Sequence, residues 1–252
     1  MDIRKIDEEG IVTRFLFKDM ETSLVNGIRR TIMEGVPTLA IENVSIYSNT
    51  SVMFDEFLAA RLGLIALKTD LKGYELGDKV KLVLEKEGPC TVYSKDIKST
   101  DPKIEVVDKN IPLVKLTKDQ SIKIEAEAVM GTGKDHAKWQ PAVVGYQNLP
   151  IVKNKKTLDQ KTMKQIVEIC PTNVLEVKAN KIVLKDAFGC ILCGACRDTA
   201  PDDSIEVGYE KDSFIFSIET TGCLTTKEVF EQAVKILREK TDAFEKELKK
   251  LS

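Results

Sequence analysis

Three thiols recur at three-residue intervals in the stretch GCILCGACRDTAP: Cys190, Cys193 and Cys196. A fourth, Cys170, stands before Pro171 in ICPTNV, twenty residues upstream. Thiolates are soft donors that suit zinc or iron–sulfur chemistry, and groups of them in a reducing compartment read as metal sites rather than disulfides. The amino-terminal run MDIRKIDEEGIVTRFLF is charged and lacks the apolar centre of a secretory leader. The expected location is therefore the cytoplasm, where all six cysteines would stay reduced.

A spacing rule fits four of them. Bacterial-type ferredoxins carry Cys-x2-Cys-x2-Cys-x3-Cys-Pro, often twice, and the fourth cysteine of each run binds the cluster of the other. A run ending at Ala200-Pro201 begins with Cys190, Cys193 and Cys196, whereas a run ending at Cys170-Pro171 begins with Gln160, Met163 and Ile166. The losses are complementary, leaving one complete four-thiolate set: Cys170, Cys190, Cys193 and Cys196. Three short steps wrap a loop around one face of a cubane, so the expected cofactor is one [4Fe-4S] cluster, with a three-iron form open if Cys170 is displaced. Zinc is the rival metal, because four thiolates also suit its tetrahedral site, although its ligands more often come as separated Cys-x2-Cys pairs. Cys90 and Cys223 lie outside the pattern and are expected to be buried and inert.

No second redox centre accompanies the thiols: the chain has no Gly-rich dinucleotide turn and a single histidine, His136, expected to be buried or at an interface. The carboxylates are spread along charged faces, with no pair that defines an acid and a base. With 38 basic and 40 acidic residues among 252, the chain is not the basic surface that holds DNA by itself. No apolar run approaches the ~20 residues of a membrane helix.

The elements around the thiols can be read from periodicity. Residues 11–19 predict a strand, 20–35 a helix with Leu24, Ile28 and Ile32 on one face, and 38–48 a strand. Residues 55–67 predict a second helix with Asp55 as N-cap. The stretches 79–87 and 121–131 alternate apolar and polar residues, which predicts a β-rich middle ending near QPAVVGYQNLP. IVKNKKTLDQKTMK (151–164) reads as a lysine-rich hinge into a helix, with Thr157 and Gln160 as its capping box. A strand over 213–220 precedes a long amphipathic helix opened by Thr225 and Glu228. Its stripe of Phe230, Val234, Leu237 and Phe244 is long enough to pack on its own sheet and also meet a partner chain.

Two long stretches carry a family resemblance. FLFKDMETSLVNGIRRTIMEGVPTLAIENVSIYSNTSVMFDEFLAARLGLIAL is similar to the assembly domain of the archaeal DNA-directed RNA polymerase D-type subunits, on the strength of Ser23-Leu24, Asn26, Arg29-Arg30, Pro37-Thr38, Asn49-Thr50-Ser51, Asp55-Glu56 and Arg61-Leu62-Gly63-Leu64-Ile65. HAKWQPAVVGYQNLP and ETTGCLTTKEVFEQAVKIL resemble later segments of the same family, which is related to the third-largest eukaryotic subunit and the bacterial alpha amino-terminal domain. Ala60 and Ala66 depart from the family pattern, where His and Pro are expected. Some members carry a ferredoxin-like insertion at the place the cysteines occupy here.

The resemblance implies an α+β chain with three parts. Residues 1–48 and 208–252 would form a discontinuous alpha-like dimerisation domain, 49–152 a β-rich inserted domain, and 153–207 a ferredoxin-like iron–sulfur domain. It also implies a non-catalytic scaffold that dimerises with the small alpha-like subunit L and nucleates assembly of the second-largest and largest polymerase subunits. Small subunits N and P would attach to this platform, and DNA would be met only through the complex. Interface candidates are Asn26, Arg29, Arg30, Asp55, Glu56 and Arg61, with Phe230, Val234, Leu237 and Phe244 on the closing helix. The alternative function is an iron–sulfur electron-transfer subunit of an oxidoreductase.

Overall fold

The computed structural model describes residues 1–250. In chain order the elements are β1 (Asp2–Glu9), β2 (Val12–Lys18), α1 (Thr22–Gly35), β3 (Pro37–Asn49), α2 (Asp55–Gly63), β4 (Lys79–Glu87), β5 (Cys90–Tyr93), β6 (Lys98–Ser99), β7 (Pro112–Leu116), β8 (Ser121–Thr132), β9 (Ala142–Asn154), α3 (Gln160–Glu168), β10 (Leu175–Lys178), β11 (Lys181–Leu184), α4 (Ala195–Thr199), β12 (Ile205–Thr220) and α5 (Thr226–Leu248). The α+β expectation holds. The chain divides into two compact units interleaved in sequence: Met1–Glu8, Arg14–Val25 and Gly145–Ser217 in one, and Glu9–Thr13, Asn26–Val144 and Ile218–Ser252 in the other.

The first unit carries an aromatic core and the cysteine module. Phe17 and Phe216 stack at 4.8 Å between ring centroids, and Tyr146 meets Phe214 edge-on at 5.7 Å. These residues lie on β2, β12 and β9, three consecutive members of the sheet ordered β1-β2-β12-β9. Beyond that core, α3 and the antiparallel hairpin β10–β11 close over Met163, Ile166, Val174, Leu175, Ile182 and Ile205. Ala179 and Asn180 make the hairpin turn, both at positive φ, which matches the twist of the strands they join.

The second unit is built on β8. Its alternating Ile122, Ile124, Ala126, Ala128 and Met130 are buried, while its polar residues face the other way. β3 pairs with it along one edge and β4 along the other, both antiparallel, in the sheet order β3-β8-β4-β6. On the polar face Lys81 meets Glu125 and Lys79 meets Glu127 across strands, exposed pairs worth about 0–1 kcal/mol each. Helix α2 seals the apolar face with Leu58 and Leu62.

The HAKWQ segment locks this unit. The Trp139 indole lies against Gly131, where a Cβ would stand 2.5 Å from the ring, and its Nε1 donates to the Val129 carbonyl at 2.9 Å. Thr38 Oγ1 donates to the Trp139 carbonyl at 2.7 Å. The Lys138 ammonium sits 4.5 Å from the Trp139 ring and donates to the Ile41 carbonyl and the Glu42 carboxylate. Of the two expected places for His136, the interior is not the one it takes: it is exposed, and its Nδ1 accepts from Lys138 N at 3.1 Å and caps a short 3-10 turn.

Several local expectations also change. The buried stripe of α1 is Val25, Ile28 and Ile32, so Leu24 falls one position out of phase and faces solvent. Asp55 is the first residue of α2, not its N-cap; Phe54 takes that position without a side-chain cap. Asp159 caps α3 by accepting from Lys161 N and Thr162 N, displacing the expected Thr157–Gln160 box. The hinge read over 151–164 begins as strand, because β9 runs to Asn154. Cys90 is half-buried rather than buried, and Cys223 is buried as expected. The box of Thr225 and Glu228 on α5 is formed as read.

A tyrosine reports on the second unit. The Tyr74 hydroxyl donates to Asp101 at 2.6 Å, and burial first, then that carboxylate, pushes its pKa from 10.0 up to about 12. The fold favours the protonated phenol, so this contribution is complete below pH 10 and is lost as the pH climbs from there to about 12. Urea midpoints measured across that window are expected to fall more steeply for the wild type than for Tyr74→Phe.

Candidate functional site

Cys170, Cys190, Cys193 and Cys196 line one small cavity of about 20 Å³ in the first unit, walled by Val152, Val174, Leu175 and Val207. Two segments deliver them. Cys170 follows α3, and the turn after it is closed by Asn173 N donating to the Cys170 carbonyl at 3.1 Å, with Asn173 at φ 52°. The other three ride on residues 187–199. There the chain turns twice through left-handed backbone, at Leu192 (φ 54°) and Gly194 (φ 79°), which swings successive thiols toward the same side. Gly194 then begins α4, its carbonyl accepting from Arg197 N and Asp198 N. Gln147 Nε2 holds the Cys190 carbonyl at 3.0 Å.

The positions left without thiols have a different fate. Met163 and Ile166 are buried in the module core, and Ala200 packs against it. Gln160 is exposed. Aliphatic packing thus occupies the part of the module where the spacing rule finds no complete donor set.

Local electrostatics distinguish the thiols. Burial pushes Cys170 up, but the Val174 amide, the Thr172 hydroxyl and the Thr172 and Asn173 amides together bring it below the ordinary thiol value. Burial pushes Cys196 up, and the neighbouring Cys190 and Cys193 add to that against the Arg197 amide. Thiolates this close repel one another unless a metal takes up their charge. Among the described residues no three His, Cys, Asp or Glu side chains converge closely enough to share one metal ion. A single tetrahedral zinc with bonds of about 2.3 Å draws its four sulfurs to about 3.8 Å from one another. A cubane instead spreads four thiolates over four irons.

The interface candidates fall into three groups. On α1 the Arg29 guanidinium donates twice to Asn26 Oδ1 at 3.1 Å, and Arg30 pairs with Glu34, so these residues satisfy one another locally. At the start of α2, Asp55 accepts from Asn49 Nδ2 at 2.7 Å, Glu56 is exposed, and Arg61 donates to the Pro112 carbonyl. On α5, Val229 and Ala233 are buried, Phe230 and Leu237 are half-buried, and Val234 and Phe244 are exposed. From residue 238 to 248 no residue of α5 is buried.

The loop NTSVMFDE, a candidate contact by resemblance, carries Val52 and Phe54, and the structure adds Phe57 and Leu64 to its surface. Val52, Phe54, Phe57 and Leu64 are 65% to 84% exposed, and the Phe54 and Phe57 rings lie 6.4 Å apart. The signal was available: α2 is apolar on two faces, with Phe57 and Leu64 seven residues apart and out of phase with buried Leu58 and Leu62.

Comparison with known proteins agrees over the full chain. Residues 56–151 match the family described as the RNA polymerase Rpb3/RpoA insert domain. The chain is 36% identical to the DNA-directed RNA polymerase subunit Rpo3 of Methanosarcina acetivorans, covering 96% of this chain and 95% of that protein. It is 38% identical to subunit Rpo3 of Methanobrevibacter smithii (97% and 96% covered) and 36% identical to that of Pyrococcus furiosus (100% and 98% covered). Such relatives give the electron-transfer alternative no support.

Exposure ranks the thiols. In chelator-treated protein Cys193, the exposed one, is expected to alkylate first and buried Cys223, its pKa raised by burial, last. Peptide mass mapping over a time course of iodoacetamide reads the order; early labelling of Cys223 would contradict the described packing.

Proposed function

The chain belongs to the family of DNA-directed RNA polymerase subunit Rpo3, and from that premise we propose that it is a non-catalytic assembly subunit whose work is to hold other polymerase chains together. The observation that carries this reading is the full-length similarity; two exposed apolar surfaces support it. The bare second half of α5, with Phe244 and Leu248 exposed, would be marginal as an isolated helix in water and suits docking against a helix of the small alpha-like subunit L. The stripe of Val52, Phe54, Phe57 and Leu64, flanked by Asp55 and Glu56, suits the second-largest subunit. The largest subunit and small subunits N and P complete the proposed set, with DNA reached only through the complex in the cytoplasm.

The three-part division is also a proposal: 1–48 with 208–252 for dimerisation, 49–152 as the inserted domain, and 153–207 as a ferredoxin-like module. The insert-family match over 56–151 lies within the second part, and the module core from Met163 to Ile205 within the third. For that module we infer one [4Fe-4S] cluster held by Cys170, Cys190, Cys193 and Cys196. The donor set fits it: four thiols face one cavity, its walls are aliphatic, and backbone amides surround Cys170. When bound, the cluster supplies covalent crosslinks between residues 170 and 196. Those crosslinks matter because ordering backbone costs about 1–2 kcal/mol per residue, and residues 187–199 have no fully buried side chain to offset it.

Purification of the native protein tests the assembly reading: the two large polymerase chains should accompany it, and a flavoprotein or hydrogenase partner instead would overturn it. Phe244→Asp is expected to weaken binding to the small alpha-like subunit at least tenfold (about 1.4 kcal/mol) while changing the chain's own stability by no more than about 0.5 kcal/mol. Titration calorimetry and urea melts separate the two. Cys193→Ser should lower bound iron without weakening that pairing; a full complement of iron in the variant would refute the ligand assignment.

A further inference from the structure

The cysteine module holds two kinds of structure, and only one has a core. Helix α3 and the β10–β11 hairpin enclose Met163, Ile166, Val174, Leu175, Ile182 and Ile205, all buried, and Cys170 is the one thiol that belongs to this core. Asp159 caps α3, four residue pairs register the hairpin, and Asn154 clasps the Ile182 backbone from both sides at 2.8 and 3.0 Å. None of these polar contacts uses a cysteine sulfur.

Residues 187–199 differ on every count. Their one buried residue is Gly194, which has no side chain. Their only helix is the five-residue α4, and Leu192 holds a left-handed backbone that an ordinary side chain disfavours. Apart from bonds to the adjoining Asp186 and Ala200, one hydrogen bond among the described residues ties them to the rest of the chain, from Gln147 to the Cys190 carbonyl. Cys190 and Cys196 lie half-buried against the module core, but the segment has no fully buried side chain and no ladder to keep it folded.

We propose that iron binding orders residues 187–199 alone, so that the module is an iron-dependent order–disorder switch confined to that loop, with α3, β10 and β11 folded in both states. This rests on the iron–sulfur reading above. Release of the cluster frees half-buried Phe188 and Leu192 to join Ile191, which is already exposed, so the released loop presents more apolar side chain than the bound one. Met163 and Ile166 are what make the confinement possible, because aliphatic contacts hold their half of the module without metal.

Hydrogen exchange with mass spectrometry on the full chain tests this, comparing anaerobically reconstituted protein with the same sample after chelation. Iron and sulfide are assayed first: about four of each per chain are expected, and failure to take them up removes the cofactor reading and the switch together. With that content established, chelation should speed exchange across 187–199 by about tenfold or more and leave α3 and β10–β11 within about threefold. Acceleration extending through 160–184, or none anywhere, would overturn the switch while the cofactor reading stood. Ile166→Ala supplies an independent arm. It should loosen β10–β11 with iron retained; loss of iron from that variant would mean that the two halves fold as one.

Discussion

The ladder formed by β8 is the constraint on which most of the second unit depends. One strand pairs along its length with β3 on one edge and β4 on the other. A strand flanked on both sides has its register set twice, and a slip of one residue would turn Ile122, Ile124, Ala126, Ala128 and Met130 outward together. The family match over 56–151 covers both β4 and β8, so the part of the chain recognised by similarity contains the part with the most over-determined geometry. The Trp139 lock extends the same logic beyond the strand. Gly131 on β8 is bare so that the indole can lie on it, and Thr38 on β3 takes up the Trp139 carbonyl.

A scaffold built this way can leave apolar surface exposed without losing its shape. Helix α2 buries Leu58 and Leu62 and still shows Phe57, with Leu64 at its C-cap, to solvent; α5 buries Val229 and Ala233 and leaves its second half bare. Exposed apolar stripes on rigid elements cost little conformational entropy when a partner covers them, because the elements are already ordered. The charged candidates on α1 contribute differently. Arg29 with Asn26, and Arg30 with Glu34, are paired within the helix, so a partner would have to compete with bonds already made.

The cysteine module follows a different rule from the rest of the chain. Residues 187–199 carry no fully buried side chain and turn twice through left-handed backbone, with Cys190 and Cys196 half-buried against the module core. The aliphatic half of the module, with Met163 and Ile166 at two of the positions lacking thiols, shows the ordinary solution a few residues away.

Much of this was legible in the residues alone. Strict alternation marked β4 and β8, because a half-buried strand imposes a two-residue period. Thr225 and Glu228 announced the start of α5, since capping is a contact between near neighbours in sequence. The cysteine spacing named the four thiols that line one cavity. Other features needed the tertiary structure. Leu24 lies outside the buried stripe because the rotation of α1 is chosen by what packs against it, and His136 is exposed because Trp139, three residues on, takes the interior. The β10–β11 hairpin was missed because each strand is only four residues long, too short to show a period, and its partners are supplied by Asn154 and α3 from elsewhere in the chain. The two apolar faces of α2 are likewise present in the residues, but which of them stays exposed was decided by the packing of Leu58 and Leu62. Contacts local in sequence are written in the sequence; which of two apolar faces turns inward is decided by long-range packing.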